Sequence, residues 1–223
     1  MRPLQLAWTT VLAGVFWACP PAFGDYISFS GISASALPTT INFGLGTVTI
    51  SEVSAPSAGT PQLEQYIPNP GTNGYESPIG GVKMGILDTG GGPNSWTVEF
   101  AFSQPQQIIV HNMETYTDFE DTTLTSYGVW TQIDGSPNLV VTGLGTSTIS
   151  LVGANGASGP FGYGHWMTTT TDLFMTYELD EASGGNAGNG IDIYVPEPTS
   201  MSLTVLLCAC GLVPRPRRKS GNA

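Results

Sequence analysis

The chain has 223 residues, with 17 acidic side chains against 6 basic ones and a formal net charge of −11. A balance so acidic excludes nucleic acid as a direct partner, because there is no basic surface to neutralise phosphates. Abundant glycine and proline, 29 and 17 residues, with no sustained helical stripe, point to short extended segments joined by turns.

In chain order, the first feature is a leader. Arg2 precedes an apolar stretch from Leu4 to Cys19, Pro20-Pro21 break it, and Ala22-Phe23-Gly24 place small residues where a signal peptidase reads. Residues 1–24 are therefore expected to be a signal peptide, removed by signal peptidase to leave Asp25 as the mature N-terminus. Cys19 raises the alternative of a lipid-modified cysteine, but Phe16-Trp17-Ala18 before it is bulky for that processing.

All three cysteines lie outside residues 25–195, at Cys19, Cys208 and Cys210. The segment between offers no disulfide, no thiol nucleophile and no cysteine-ligated metal. Its length suits one domain with one sizeable core. Sixteen of the acidic residues fall within it against a single base, Lys83. Such a polyanion stays soluble by self-repulsion, and divalent cations would relieve the strain.

Strands are expected at Tyr26–Ser30 and Thr47–Val53. Ala55 to Gly80 carries five prolines and little alternation, which predicts a surface excursion pinned by Leu63, Tyr66 and Ile67. Val82–Leu87 follows. The clearest strand has Trp96, Val98, Phe100 and Phe102 alternating with Thr97, Glu99, Ala101 and Ser103, a period of two that gives one buried and one wet face. Further strands are expected at Ile108–Met113, along Tyr127, Val129, Thr131 and Ile133, at Leu139–Thr142 and Thr148–Val152, along Leu173, Met175, Tyr177 and Leu179, and at Ile191, Ile193 and Val195. Asp134-Gly135-Ser136-Pro137 reads as a hairpin turn. About ten short strands in one disulfide-free domain predict an all-β fold, a single β-sandwich of jelly-roll type.

Chemistry-bearing residues are few. His111 and His165 are the only histidines; His111 sits in an apolar strand, facing either inward to a hydrogen-bond partner or outward beside Glu114. Glu114, Asp118, Glu120 and Asp121 crowd a Thr-rich stretch with Tyr116 and Phe119, open to three readings: a solvated loop, a cation site, or the carboxylate pair of a glycosidase. Carboxylates in a wet loop repel one another and lack a means of desolvation. Neither a Gly-x-Ser-x-Gly elbow nor a His-Glu-x-x-His motif is present, so no catalytic residue is assigned and the domain is expected not to be an enzyme.

Two binding readings remain beside their plainer alternatives. Asp180 and Glu181 end one strand, Ser183 to Gly190 form a Gly/Asn loop, and Asp192 begins the next strand, so hard oxygen ligands can converge on Ca²⁺; the alternative is a plain hairpin loop. No cofactor is required. Phe161-Gly162-Tyr163-Gly164-His165-Trp166 sets three rings in a glycine-rich stretch, where Tyr163 and Trp166, extended by Trp130 and Tyr116, would offer flat faces to a carbohydrate; the alternative is core packing.

The last stretch is the most specific. Val195-Pro196-Glu197-Pro198 leads into an apolar run from Met201 to Val213, and Arg215, Arg217, Arg218 and Lys219 close it. Prolines at 196 and 198 favour an extended form that fits a peptidase cleft, the apolar run prefers lipid, and the terminal charges prefer the cytoplasmic side. Residues 195–219 resemble the PEP-CTERM sorting signal of bacterial exported proteins processed by exosortases. The resemblance implies that Pro196-Glu197-Pro198 is the recognition motif, that Met201–Val213 is a transient membrane anchor helix, and that the basic residues are its cytoplasmic stop, so that 196–223 form a sorting signal. As a helix the run rises only about 20 Å, short of a roughly 30 Å hydrocarbon core.

The middle of the chain is also similar to ectodomains found ahead of this signal, through Trp96–Phe102, the Gln104-Pro105 turn, Ile108–Val110, the acidic stretch from Glu114 to Asp121, and Ile191-Asp192-Ile193. Together these resemblances imply an exported protein of the cell surface or extracellular matrix, with exosortase, the membrane and exopolysaccharide as partners. The alternatives are a secreted carbohydrate-binding or adhesive module and, third, a secreted hydrolase.

Overall fold

The computed structural model describes residues 24–66, 80–87, 93–115, 120–154, 162–179 and 186–197, and Gly24–Pro196 form one compact unit. The expected leader, the apolar anchor run and the basic tail lie outside the described residues. Twelve strands follow one another: β1 (Asp25–Tyr26), β2 (Thr39–Phe43), β3 (Gly46–Ser54), β4 (Thr60–Tyr66), β5 (Gly81–Leu87), β6 (Asn94–Thr115), β7 (Glu120–Ser126), β8 (Thr131–Gly135), β9 (Leu139–Thr142), β10 (Thr148–Gly153), β11 (Gly162–Leu179) and β12 (Asn186–Val195). A short 3-10 turn at Ala34–Ala36 is the one helical element among the described residues.

All pairings are antiparallel, and the strands belong to a single open sheet. Its spine is the pairing of β6 with β11, which runs from Gly162↔Thr115 to Leu179↔Asn94. The register shifts between Thr170 and Asp172, opposite Gln106 and Ala101, and such an irregularity bends a strand. On one side of the shift, β6 is flanked by β3 and then β2, while β11 is flanked by β7, β10 and β9. On the other side, β6 is flanked by β12, β5 and β4, while β11 is flanked by β8. β1 joins the far end of β12 through Asp25↔Val195 and Tyr26↔Tyr194.

Alternation explains the core. Trp96, Val98, Phe100 and Phe102 of β6 are buried, as are Leu173, Met175, Tyr177 and Leu179 of β11. Beyond the shift the pattern resumes with Ile108 and Val110, Trp166, and Ile191, Ile193 and Val195. Rows from both halves belong to one buried cluster, with Val48 and Ile50, Met84 and Ile86, and Ile149 and Leu151, so the sheet curves round a common interior. Each fully buried large side chain contributes about 1.5–3 kcal/mol.

Several expectations change. Ile108–Met113 is not a separate strand after a Gln104-Pro105 turn; β6 runs through that dipeptide without a break. The excursion from Ala55 to Gly80 contains a strand, β4, at the sheet's end and paired with β5. Leu63 is its one buried residue, which is why no alternation marks it, and Pro61 is tolerated because an edge strand needs fewer backbone donors. β2, with only Ile41 and Phe43 for apolar residues, pairs with β3 across Gly44-Leu45. The hairpin expected at Asp134–Pro137 does not form: Asp134 and Gly135 end β8, the turn falls at Pro137-Asn138, and the strands it joins do not pair, since β8 lies on β11 and β9 on β10.

Tyr127 and Val129 are not strand residues. They stand 75% and 56% exposed in a bend. At Gly128 between them a Cβ would collide with the backbone oxygen of Thr169, and Ser126 Oγ donates to Gly128 O at 2.9 Å. The bend turns Trp130 into the core, where its Nε1–H donates to Ser147 O at 3.2 Å.

The stretch around Gly162–Trp166 is strand, not loop. Gly164 and Trp166 share a face two residues apart, and a Cβ at 164 would lie 2.6 Å from Trp166 Cζ2. The glycine is therefore a seat for the indole ring. Gly164→Ala is expected to destabilise the domain by about 1–3 kcal/mol through overpacking, read as a lower midpoint in chemical denaturation with unchanged slope; an unaltered midpoint would show that the ring moves aside freely.

Candidate functional site

The pairing register of four strands places Asp192 of β12 beside His111 of β6, His111 beside His165 of β11, and His165 beside Asp134 of β8. The four residues form one row across the sheet. They alternate with core positions: Val110, Trp166 and Ile193 point inward, so the row lies on the opposite face. His111, His165 and Asp192 are nevertheless buried, Asp192 completely, whereas the Asp134 side chain is 57% exposed.

Contacts run along the row. His111 Nδ1 is 2.7 Å from Asp192 Oδ1, and His165 Nδ1 is 2.6 Å from Asp134 Oδ1. The first contact is short without being a well-aligned hydrogen bond. The Nδ1 side of each ring therefore faces a carboxylate oxygen. The two rings meet edge to face with centroids 4.1 Å apart and planes at 62°. Tyr26 closes one side, edge-on to His111 at 6.1 Å, and itself packs on Tyr194 at 4.9 Å. His165 Nε2 is buried without a hydrogen-bond partner.

On the core face, away from the row, Asn189 of β12 is completely buried and donates through Nδ2 to Thr122 Oγ1 of β7. Among the described residues, no group of three or more His, Cys, Asp or Glu is arranged to hold a metal ion. The row therefore offers two imidazole nitrogens backed by two carboxylates.

Of the residues named from sequence, Asp192 is drawn to His111. Asp180 and Glu181, its expected partners around Ca²⁺, lie outside the described residues, and the expected loop is already strand from Asn186 onward. Trp166 corrects the carbohydrate platform: it is wholly buried, as is Trp130, so neither presents a face to a sugar. Tyr163 is half-buried, with its backbone tied to Ser136 through Tyr163 N–H to Ser136 Oγ at 3.1 Å and Ser136 N–H to Tyr163 O at 2.8 Å. Phe161, Tyr116, Asp118 and Phe119 of the aromatic and acidic stretches fall outside the described residues. Pro196 and Glu197 follow β12, with Glu197 exposed; Pro198, Arg215, Arg217, Arg218 and Lys219 lie outside.

Sequence reading named His111 and Asp192 separately and left His165 within an aromatic stretch. Their convergence depends on strand register, which no local pattern specifies. No family model, curated protein or solved structure matches the chain.

The two carboxylates are expected to differ in their cost of removal. Asp192→Asn leaves His111 buried beside a weakened partner and should cost about 3 kcal/mol, whereas Asp134→Asn at the exposed end should cost no more than about 1 kcal/mol. Urea unfolding of the two variants side by side measures the difference.

Proposed function

We propose that the chain is a non-catalytic exported protein of the cell surface or extracellular matrix, sorted and cleaved through its C-terminal Pro196-Glu197-Pro198 signal and associated with exopolysaccharide. In this reading the curved sheet is a jelly-roll-like sandwich that serves as the exported body. The acidic domain carries no cysteine between the two ends, so it would rely on its core, without a disulfide, once exported.

One observation carries the reading furthest. The last strand ends at Val195 and the proline-flanked glutamate follows at once, so the segment that would meet a peptidase begins where the folded body stops. Pro196 and Pro198 prevent β12 from extending past that point. Asp25, the expected first residue of the mature chain, pairs with Val195, so both expected processing points flank the same pair of strands. A carbohydrate-binding role through Trp166 has no support from a buried ring, and no observation favours a hydrolase.

Intact-mass spectrometry of protein recovered from its own cells tests the reading. The expected mass corresponds to a chain that starts at Asp25 and ends near Pro196–Pro198. Glu197→Ala, a change at an exposed position, should retain the C-terminal segment and keep the protein in the membrane fraction. A full-length chain recovered from the cytosol would overturn the proposal.

A further inference from the structure

The Asp192–His111–His165–Asp134 row is a built polar site on the sheet face opposite the core, and nothing in the sorting role uses it. Burying two imidazoles and a carboxylate away from water is costly unless the groups have partners. Each Nδ1 lies within 2.7 Å of a carboxylate oxygen, although the His111–Asp192 contact is not a formed hydrogen bond, and His165 Nε2 is buried without a hydrogen-bond partner. The two nitrogens of an imidazole point to nearly opposite sides of the ring. With each Nδ1 against a carboxylate on its own flank of the row, each Nε2 lies on the side of its ring away from that carboxylate, where the two rings meet edge to face.

We infer that His111 and His165 form a binding site for one divalent transition-metal ion, held by the two Nε2 atoms and completed by water. A histidine that ligates a metal commonly gives its other ring proton to a carboxylate, which fixes the tautomer and raises the basicity of the ligating nitrogen. Asp192 and Asp134 stand in that relation to the two rings. Charge selects a cation: the row holds two carboxylates, and the only Lys or Arg between residues 24 and 197 is Lys83. Donor type selects the metal class, since paired imidazoles suit Zn²⁺, Cu²⁺ or Ni²⁺, whereas Ca²⁺ requires oxygen ligands.

The geometry needs a small adjustment. Metal–nitrogen bonds of about 2.1 Å would set the ring centroids roughly 5 Å apart, against 4.1 Å here. An outward rotation of His165 opens that distance, and His165 is the ring whose carboxylate partner is exposed, beside β8. The same movement admits the ion from solvent.

The chain's histidine count makes the test clean. The full chain, with Cys19, Cys208 and Cys210 alkylated so that thiols do not compete, carries only two imidazoles. ZnCl₂ titration followed by calorimetry and by long-range proton–nitrogen NMR should give one equivalent of Zn²⁺ and shift the Nε2 resonances of both histidines together, with CaCl₂ shifting neither. His165→Gln should abolish the one-equivalent Zn²⁺ binding, and Asp134→Asn, whose exposed position spares the fold, should weaken it about 10- to 100-fold. A shift of one histidine alone, a shift of neither, or wild-type Zn²⁺ affinity in Asp134→Asn would overturn the proposal, since the ion would then belong to the acidic surface.

Discussion

The pairing of β6 with β11 is the constraint on which the rest of the molecule depends. These two strands are long enough to contribute to both halves of the sheet, and every other strand attaches to them directly or through one or two neighbours. Because the side-chain period of a strand is two, their register decides which residues face the core at every position. The shift near Thr170 lets that period restart after the bend. Without it, Trp166 would face out and His165 in, because β11 buries Leu173 to Leu179 on one side of the shift and Trp166 on the other, whereas β6 keeps one alternation from Trp96 to Val110.

The same register builds the aspartate–histidine row. His111 and His165 are opposite each other because Val110 and Trp166 are opposite each other, and the apolar pair holds the polar pair in place. Gly164 extends this logic, since the space it leaves lets the Trp166 ring lie flat over the strand next to His165. Core packing on one face thus sets the positions of polar groups on the other.

Much of the fold was legible in the chain. Trp96–Phe102 and Leu173–Leu179 announce their strands because one face is wholly buried and the other wet, and the all-β class follows from such segments with turn residues between them. β4 and β2 were not legible, because an edge strand with a single buried side chain, such as Leu63, writes no alternating pattern. Tyr127 and Val129 misled for the opposite reason. Their alternation is genuine, but Gly128 sits under Thr169 O and the chain bends there, which depends on a residue some forty positions away. The glycines at 162 and 164 read as flexibility, whereas at 164 the missing Cβ makes room for an aromatic ring. For the row, all four residues were visible but their meeting was not, since Asp192, His111, His165 and Asp134 come from four strands whose order cannot be read from neighbouring residues.

β12 has a mechanical consequence. It is an interior strand, hydrogen-bonded by β5 on one side and by β6 on the other, and β1 closes its far end. A pull applied at Val195 along the strand would load these ladders in shear, stretching many bonds at once, rather than peeling them apart one at a time as a pull on an outer hairpin would.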